Sequence, residues 1–107
     1  MQSNLDYSHI DSSEKVQKLC SDGELVKMHF LPLNWGGADI VENTIYVPAV
    51  VVEQKASLDT IVENLLQEGL KLQYSATPEY KGKSFIASKV VIKVSGDREM
   101  EETIDIW

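Results

Sequence analysis

Apolar and polar residues alternate in the last third of the chain, and this alternation constrains the fold more than any other feature. Residues 70–76 place an apolar side chain at every second position, the pattern of a strand with one buried face. Two further strand-like runs follow at residues 84–94 and 101–106, separated by the turn sequence Ser95-Gly96-Asp97-Arg98. Because short turns join these runs, we predict one antiparallel meander.

The strongest helical pattern begins at Ser57, which we interpret as an N-cap with Asp59 in the first turn. The apolar residues that follow fall at helical spacing on one face: Leu58, Ile61, Val62, Leu65 and Leu66. Gly69 stands where a helix commonly ends. We expect this helix to cover one face of the meander.

In the first half of the chain, the pattern from Ser12 to Asp22-Gly23 predicts a short helix capped by a serine and ended by glycine. Strands are predicted to follow at residues 25–33 and 43–47. We expect residues 1–11 to form a flexible tail. The Pro and Gly of residues 77–83 indicate a defined turn. The whole order predicts one α+β domain, an antiparallel sheet with one main helix packed on a face and a short N-terminal helix.

Length and cysteine content limit the class of protein. A chain of 107 residues suits one domain. Cys20 is its only cysteine, which excludes an internal disulfide and a cysteine-rich zinc site and favours the cytoplasm. The N-terminus has no apolar run, so we expect neither a signal peptide nor a membrane segment.

The charge balance points to the class of partner. Ten Lys and Arg against 17 Asp and Glu give a formal charge of −7, which disfavours nucleic-acid binding. A local basic patch at Lys81, Lys83 and Lys89 is compatible with this average. A basic protein partner fits the charge better. The alternative is that the negative charge only keeps a bacterial cytosolic protein soluble.

Residues 29–48 contain the candidate site. A strand runs into Gly36-Gly37 and a second strand returns from it, and each glycine costs backbone entropy that an ordinary turn residue would not. We predict binding residues in and beside this bend: Asn34, Trp35, Asp39, Glu42 and Asn43. Trp35 has two interpretations, an exposed anchor for a partner or a side chain that folds back to cap the core.

His29 is the first candidate for chemistry, because histidine acts as acid or base near neutral pH. A histidine on a sheet surface is nevertheless more often structural. Asp39, Glu42 and Glu53 offer carboxylates for a hard cation, but their spacing matches no calcium loop. We therefore predict no metal and no cofactor. The chain also lacks a nucleophile elbow, a phosphate-binding loop and a histidine pair at helical spacing.

The chain resembles the core of DNA/RNA non-specific endonucleases of the His-Me finger type, which occur as bacterial polymorphic toxin domains. The matching segments, in order, are His29-Phe30-Leu31, Trp35-Gly36-Gly37, Asn43, Val47-Pro48, a helix, Glu68-Gly69 and a strand from Tyr74 to a turn at Gly82, within residues 27–94. The resemblance implies that His29 occupies the position of the general base. Val26, Lys27 and Met28 replace the triplet that the family has before that histidine. Residues 50–53 stand where the family has its metal-binding Asn. The resemblance therefore implies a shared scaffold without a recognisable magnesium-binding site.

Such toxin systems also encode small, acidic immunity proteins. Our leading hypothesis is a non-catalytic protein-binding module of the cytoplasm, of the immunity or inhibitor type, that contacts its partner through residues 34–43 and an acidic surface. The alternative is a divalent-metal phosphodiesterase with His29 as base and Asn43 or Glu53 helping to hold the metal. A third hypothesis is a homodimer formed by pairing an exposed sheet edge.

Overall fold

The computed structural model describes residues 6–107 and has the predicted α+β architecture. Its elements in chain order are α1 (Ser13–Ser21), β1 (Val26–His29), β2 (Thr44–Val47), α2 (Ala49–Gln67), β3 (Leu72–Glu79), β4 (Lys89–Gly96) and β5 (Met100–Asp105). Within this described range, no helix has both the length and the apolar character that crossing a membrane requires.

The predicted meander is confirmed, since β3, β4 and β5 form one three-stranded antiparallel sheet. Its strands are shifted from the predicted bounds. β3 continues through Pro78 to Glu79, where we predicted a turn, and an edge strand tolerates the missing N–H of a proline. β4 starts only at Lys89, because the segment before it bends to bury Ile86 and Ala87.

β1 and β2 pair with each other in a separate two-stranded antiparallel sheet, so the strands divide between two sheets. β1 ends at His29, which lies opposite Thr44, and is shorter than predicted. Residues 30–43 between the two strands, here called the β1-β2 loop, contain two short 3-10 turns, Leu33–Trp35 and Val41–Asn43.

The predicted start of the main helix at Ser57 is wrong. α2 begins at Ala49 after Pro48, and the hydroxyl of Ser57 donates to the carbonyl oxygen of Glu53 inside the helix. Three consecutive valines at positions 50–52 have a low helix propensity, which tertiary packing overrides by burying Val51. The predicted end is correct, since Gly69 follows the helix with a φ of 93°. α1 also forms as predicted, with the Ser12 hydroxyl accepting from the Lys15 N–H.

One hydrophobic core joins both helices and both sheets, with Val16, Met28, Val47, Val51 and Val90 among its members. The predicted tail takes part in it, because Tyr7 and Ile10 are also buried there. Residues 6–11 are therefore packed, a correction to the prediction of a flexible tail. His9 in this segment is exposed. Residues 1–5 of that predicted tail lie outside the described residues.

Candidate functional site

The side-chain amide of Asn43 holds together the two arms of the β1-β2 loop, the first arm leaving β1 through Leu31 and the second arm returning to β2 through Ala38. Its Oδ1 accepts from the Leu31 N–H at 2.8 Å, and its Nδ2 donates to the carbonyl oxygens of Leu31 and Ala38, both at 2.9 Å. The arms approach so closely that a side chain at Gly37 would collide with the Leu31 carbonyl oxygen. Gly37 is therefore required for close approach, and Asn43 is a structural clamp.

Trp35 and Asn34 meet at one carboxylate of α2. Trp35 Nε1 donates to Glu63 Oε2 at 3.1 Å, and Asn34 Nδ2 donates to the same oxygen at 3.2 Å. The Trp35 ring also packs edge-on against Tyr74 of β3, with 5.0 Å between ring centroids. The structure thus places Trp35 half-buried and turned back onto the domain, the second of its two predicted interpretations.

His29 binds the far arm of the loop. Its Nε2 lies 2.8 Å from Asp39 Oδ1, and Lys27 Nζ lies 3.5 Å from the same oxygen. The hydrogen bond with His29 lowers the pKa of Asp39, and the charge of Lys27 acts in the same direction. Asp39 therefore stays ionised at neutral pH. These contacts brace the loop against β1.

A buried polar network lies beneath Trp35. Lys55 Nζ and Tyr74 OH both contact the Asp59 carboxylate, at 2.7 and 2.8 Å on its two oxygens. The Lys55 side chain is only 4% exposed. Burial raises the pKa of Tyr74, and its hydrogen bond to Asp59 adds to that effect. The network joins α2 to β3 and supports the ring on which Trp35 rests.

This network was not predicted, because the predicted helix begins at Ser57 and leaves Lys55 outside it. The available signal was the spacing of Lys55 and Asp59, four residues apart, which on a helix brings the two side chains together.

A cavity of about 220 Å³ separates β1 from α2. Its lining includes Lys27 and His29 on one side and Lys55 and Asp59 on the other. Lys55 and Asp59 in this lining already form an ion pair with each other, and His29 is bound to Asp39. Among residues 6–107, no three His, Cys, Asp or Glu side chains are grouped so that they could hold a metal ion. Glu53 is exposed on α2.

The β1-β2 loop exposes several large apolar side chains. Four of the nine large apolar side chains exposed among residues 6–107 lie in it: Leu31, Leu33, Ile40 and Val41. Val41 is the most exposed of these, at 82%. The sequence does not mark these four side chains as exposed, because a loop has no periodicity that reveals which side chains face solvent.

The predicted binding residues thus have different positions. Asn34 and Trp35 share Glu63, Asp39 contacts His29, and Asn43 binds loop backbone. Glu42 is exposed in the turn Val41–Asn43. Comparison of the chain with protein-family models, with curated proteins and with solved structures found no match.

Proposed function

We propose that this protein is a non-catalytic protein-binding module and that its β1-β2 loop contacts the partner. One observation carries the proposal: the loop is braced at Asn43, Asp39 and Trp35, yet exposes four large apolar side chains. Exposed apolar patches mark interaction sites. A loop that is already ordered also loses little conformational entropy on binding.

The partner that best fits is a basic protein. The chain carries a net charge of −7, and the loop itself presents the exposed carboxylates Asp39 and Glu42. Complementary charge speeds encounter between partners. Together with the resemblance to toxin-associated scaffolds, this supports an immunity or inhibitor protein that acts on a bacterial toxin in the cytoplasm.

Affinity capture with matched variants tests the proposal. Tagged wild-type chain, Leu33→Ser and Ile61→Ser would each be incubated with an extract of cells that carry the gene. Leu33 in the loop and Ile61 on α2 are similarly exposed, so the two variants lose comparable apolar surface. We expect a basic protein that wild type and Ile61→Ser retain and that Leu33→Ser loses. No retained protein, or equal retention by both variants, would contradict the proposal. Circular dichroism checks that each variant is folded.

A phosphodiesterase with His29 as general base is the second candidate. The 2.8 Å contact between His29 and Asp39 favours it, because a carboxylate that orients an imidazole is a common arrangement in catalysis. From the binding-module proposal we predict no cleavage of plasmid DNA or total RNA with magnesium, manganese or calcium. Cleavage that disappears in His29→Ala would overturn the binding-module proposal. Cleavage that persists in that variant would indicate a contaminating nuclease.

A further inference from the structure

The segment Asp39-Ile40-Val41-Glu42 forms the outermost part of the β1-β2 loop. Val41 is 82% exposed and Ile40 is more than half exposed. The apolar area that a side chain can remove from water on binding grows with its exposure in the free protein. Val41 therefore has more to gain from a partner than any other large apolar side chain among residues 6–107.

The backbone of this segment is already fixed. The carbonyl oxygen of Ile40 accepts from the Thr44 hydroxyl at 2.6 Å and from the Asn43 N–H at 3.0 Å. On the other side of Ile40, Asp39 is held by His29 at 2.8 Å. The two apolar side chains are thus presented in one position, as interface anchors usually are.

Trp35 is less suited than Ile40 and Val41 to contact a partner. Its indole N–H is used by Glu63 and its ring packs on Tyr74. Contact with a partner through the buried part of the ring would require these interactions to break. Trp35 is therefore a positioning residue for the loop.

Carboxylates flank the apolar pair on both sides. Asp39 contacts His29 and Lys27 through Oδ1 alone, and no hydrogen bond or ion pair within residues 6–107 uses its Oδ2. Glu42 is exposed, and no ion pair engages it in the part of the chain that the structure describes. We propose that Ile40 and Val41 are the anchor of the interface and that the partner receives them in an apolar pocket bordered by lysine or arginine side chains. This inference rests on the proposed function.

The test uses the protein that wild-type chain retains in the capture experiment, purified and immobilised on a sensor. We expect Val41→Ser to raise the dissociation rate about tenfold or more, because anchors act mainly on dissociation. Val50→Ser is the matched control, since Val50 is an exposed valine on α2, outside the loop. Glu42→Gln should slow association at low salt, whereas Glu102→Gln on β5 should have a smaller effect.

The outcomes separate this inference from the function on which it rests. If Leu33→Ser loses the partner but Val41→Ser dissociates at the wild-type rate, the loop binds and the anchor is wrongly assigned. If Glu42→Gln binds faster than wild type, the pocket has no basic border. If the free protein is a dimer in sedimentation and Val41→Ser is a monomer, a second copy occupies the anchor and the inference is overturned. If capture retains no protein, the proposed function and this inference fall together.

Discussion

At the scale of single residues, Asn43 determines the shape of the β1-β2 loop. We expect Asn43→Ala to lower the free energy of unfolding by about 2 kcal/mol, because it removes three hydrogen bonds that each contribute roughly 1 kcal/mol at most in a partly exposed site. Asn34→Ala is the control, since it removes one exposed hydrogen bond and should cost below about 0.5 kcal/mol. Urea denaturation measures both. Equal losses would show that Asn43 is no clamp.

The sequence predicts where the site lies but not what each residue does. Gly36-Gly37 marks a tight bend, and the neighbouring Asn and Trp mark it as unusual. Nothing in the sequence distinguishes the role of Asn34 from that of Asn43. Yet Asn34 bonds the carboxylate of Glu63 on α2, whereas Asn43 bonds the backbone of the loop. The direction of Trp35 depends on Glu63 and Tyr74, which are distant in the chain. Local patterns contain no information on such contacts.

At the scale of elements, the buried Lys55–Asp59 pair of α2 is linked to β3 by the hydroxyl of Tyr74, which donates to Asp59. Lys55→Met should lower the free energy of unfolding by about 3 kcal/mol, because it leaves the largely buried Asp59 charge without its counterion. A triple variant that adds Asp59→Leu and Tyr74→Phe should recover much of that loss, because it leaves neither the carboxylate nor the phenol without a partner. Lys18→Met in α1 removes an exposed pair of the same spacing and should cost under about 0.5 kcal/mol. Urea denaturation would contradict this prediction if Lys55→Met and Lys18→Met were equally stable.

Tyr74 of β3 makes the stability of the folded protein depend on pH in the alkaline range. Burial, with help from the Asp59 hydrogen bond, raises its pKa above the value of about 10 in the unfolded chain. The neutral phenol therefore stabilises the fold fully below about pH 10, and this contribution is lost as pH rises above that value. We expect the urea concentration at the unfolding midpoint to decrease as the pH is raised from about 9 to about 11. Tyr74→Phe should show a shallower fall, even though Tyr7 and Tyr80 also have raised pKa values. An unchanged slope in that variant would contradict the assignment.

At the scale of the whole molecule, local patterns predict the meander because its strands are neighbours in sequence and each alternates on its own. The division into two sheets was not predicted, since strand partners are chosen by long-range packing. The same reason explains the packed segment at residues 6–11. Tyr7 there contacts Trp107, so the two ends of the described chain meet, and no local pattern indicates this.

The net charge of −7 acts on a partner before contact, because a field summed over the whole surface steers encounter. Raising the salt concentration from about 0.01 M to about 0.1 M shortens the screening length from roughly 30 Å to roughly 10 Å. We therefore expect salt to slow association with the captured basic partner much more than it speeds dissociation.

A variant remote from the loop separates this steering from contacts in the interface. Glu101→Gln, Glu102→Gln and Asp105→Asn together remove three exposed negative charges from β5, which changes the net charge from −7 to −4. This triple variant should associate more slowly at low salt, match the wild type at high salt and dissociate at the wild-type rate. Binding kinetics on the immobilised partner at several salt concentrations measure the association rates at low and high salt and the dissociation rate. A faster dissociation rate would mean that β5 itself lies in the interface, and the acidic strand would then replace the loop as the main contact.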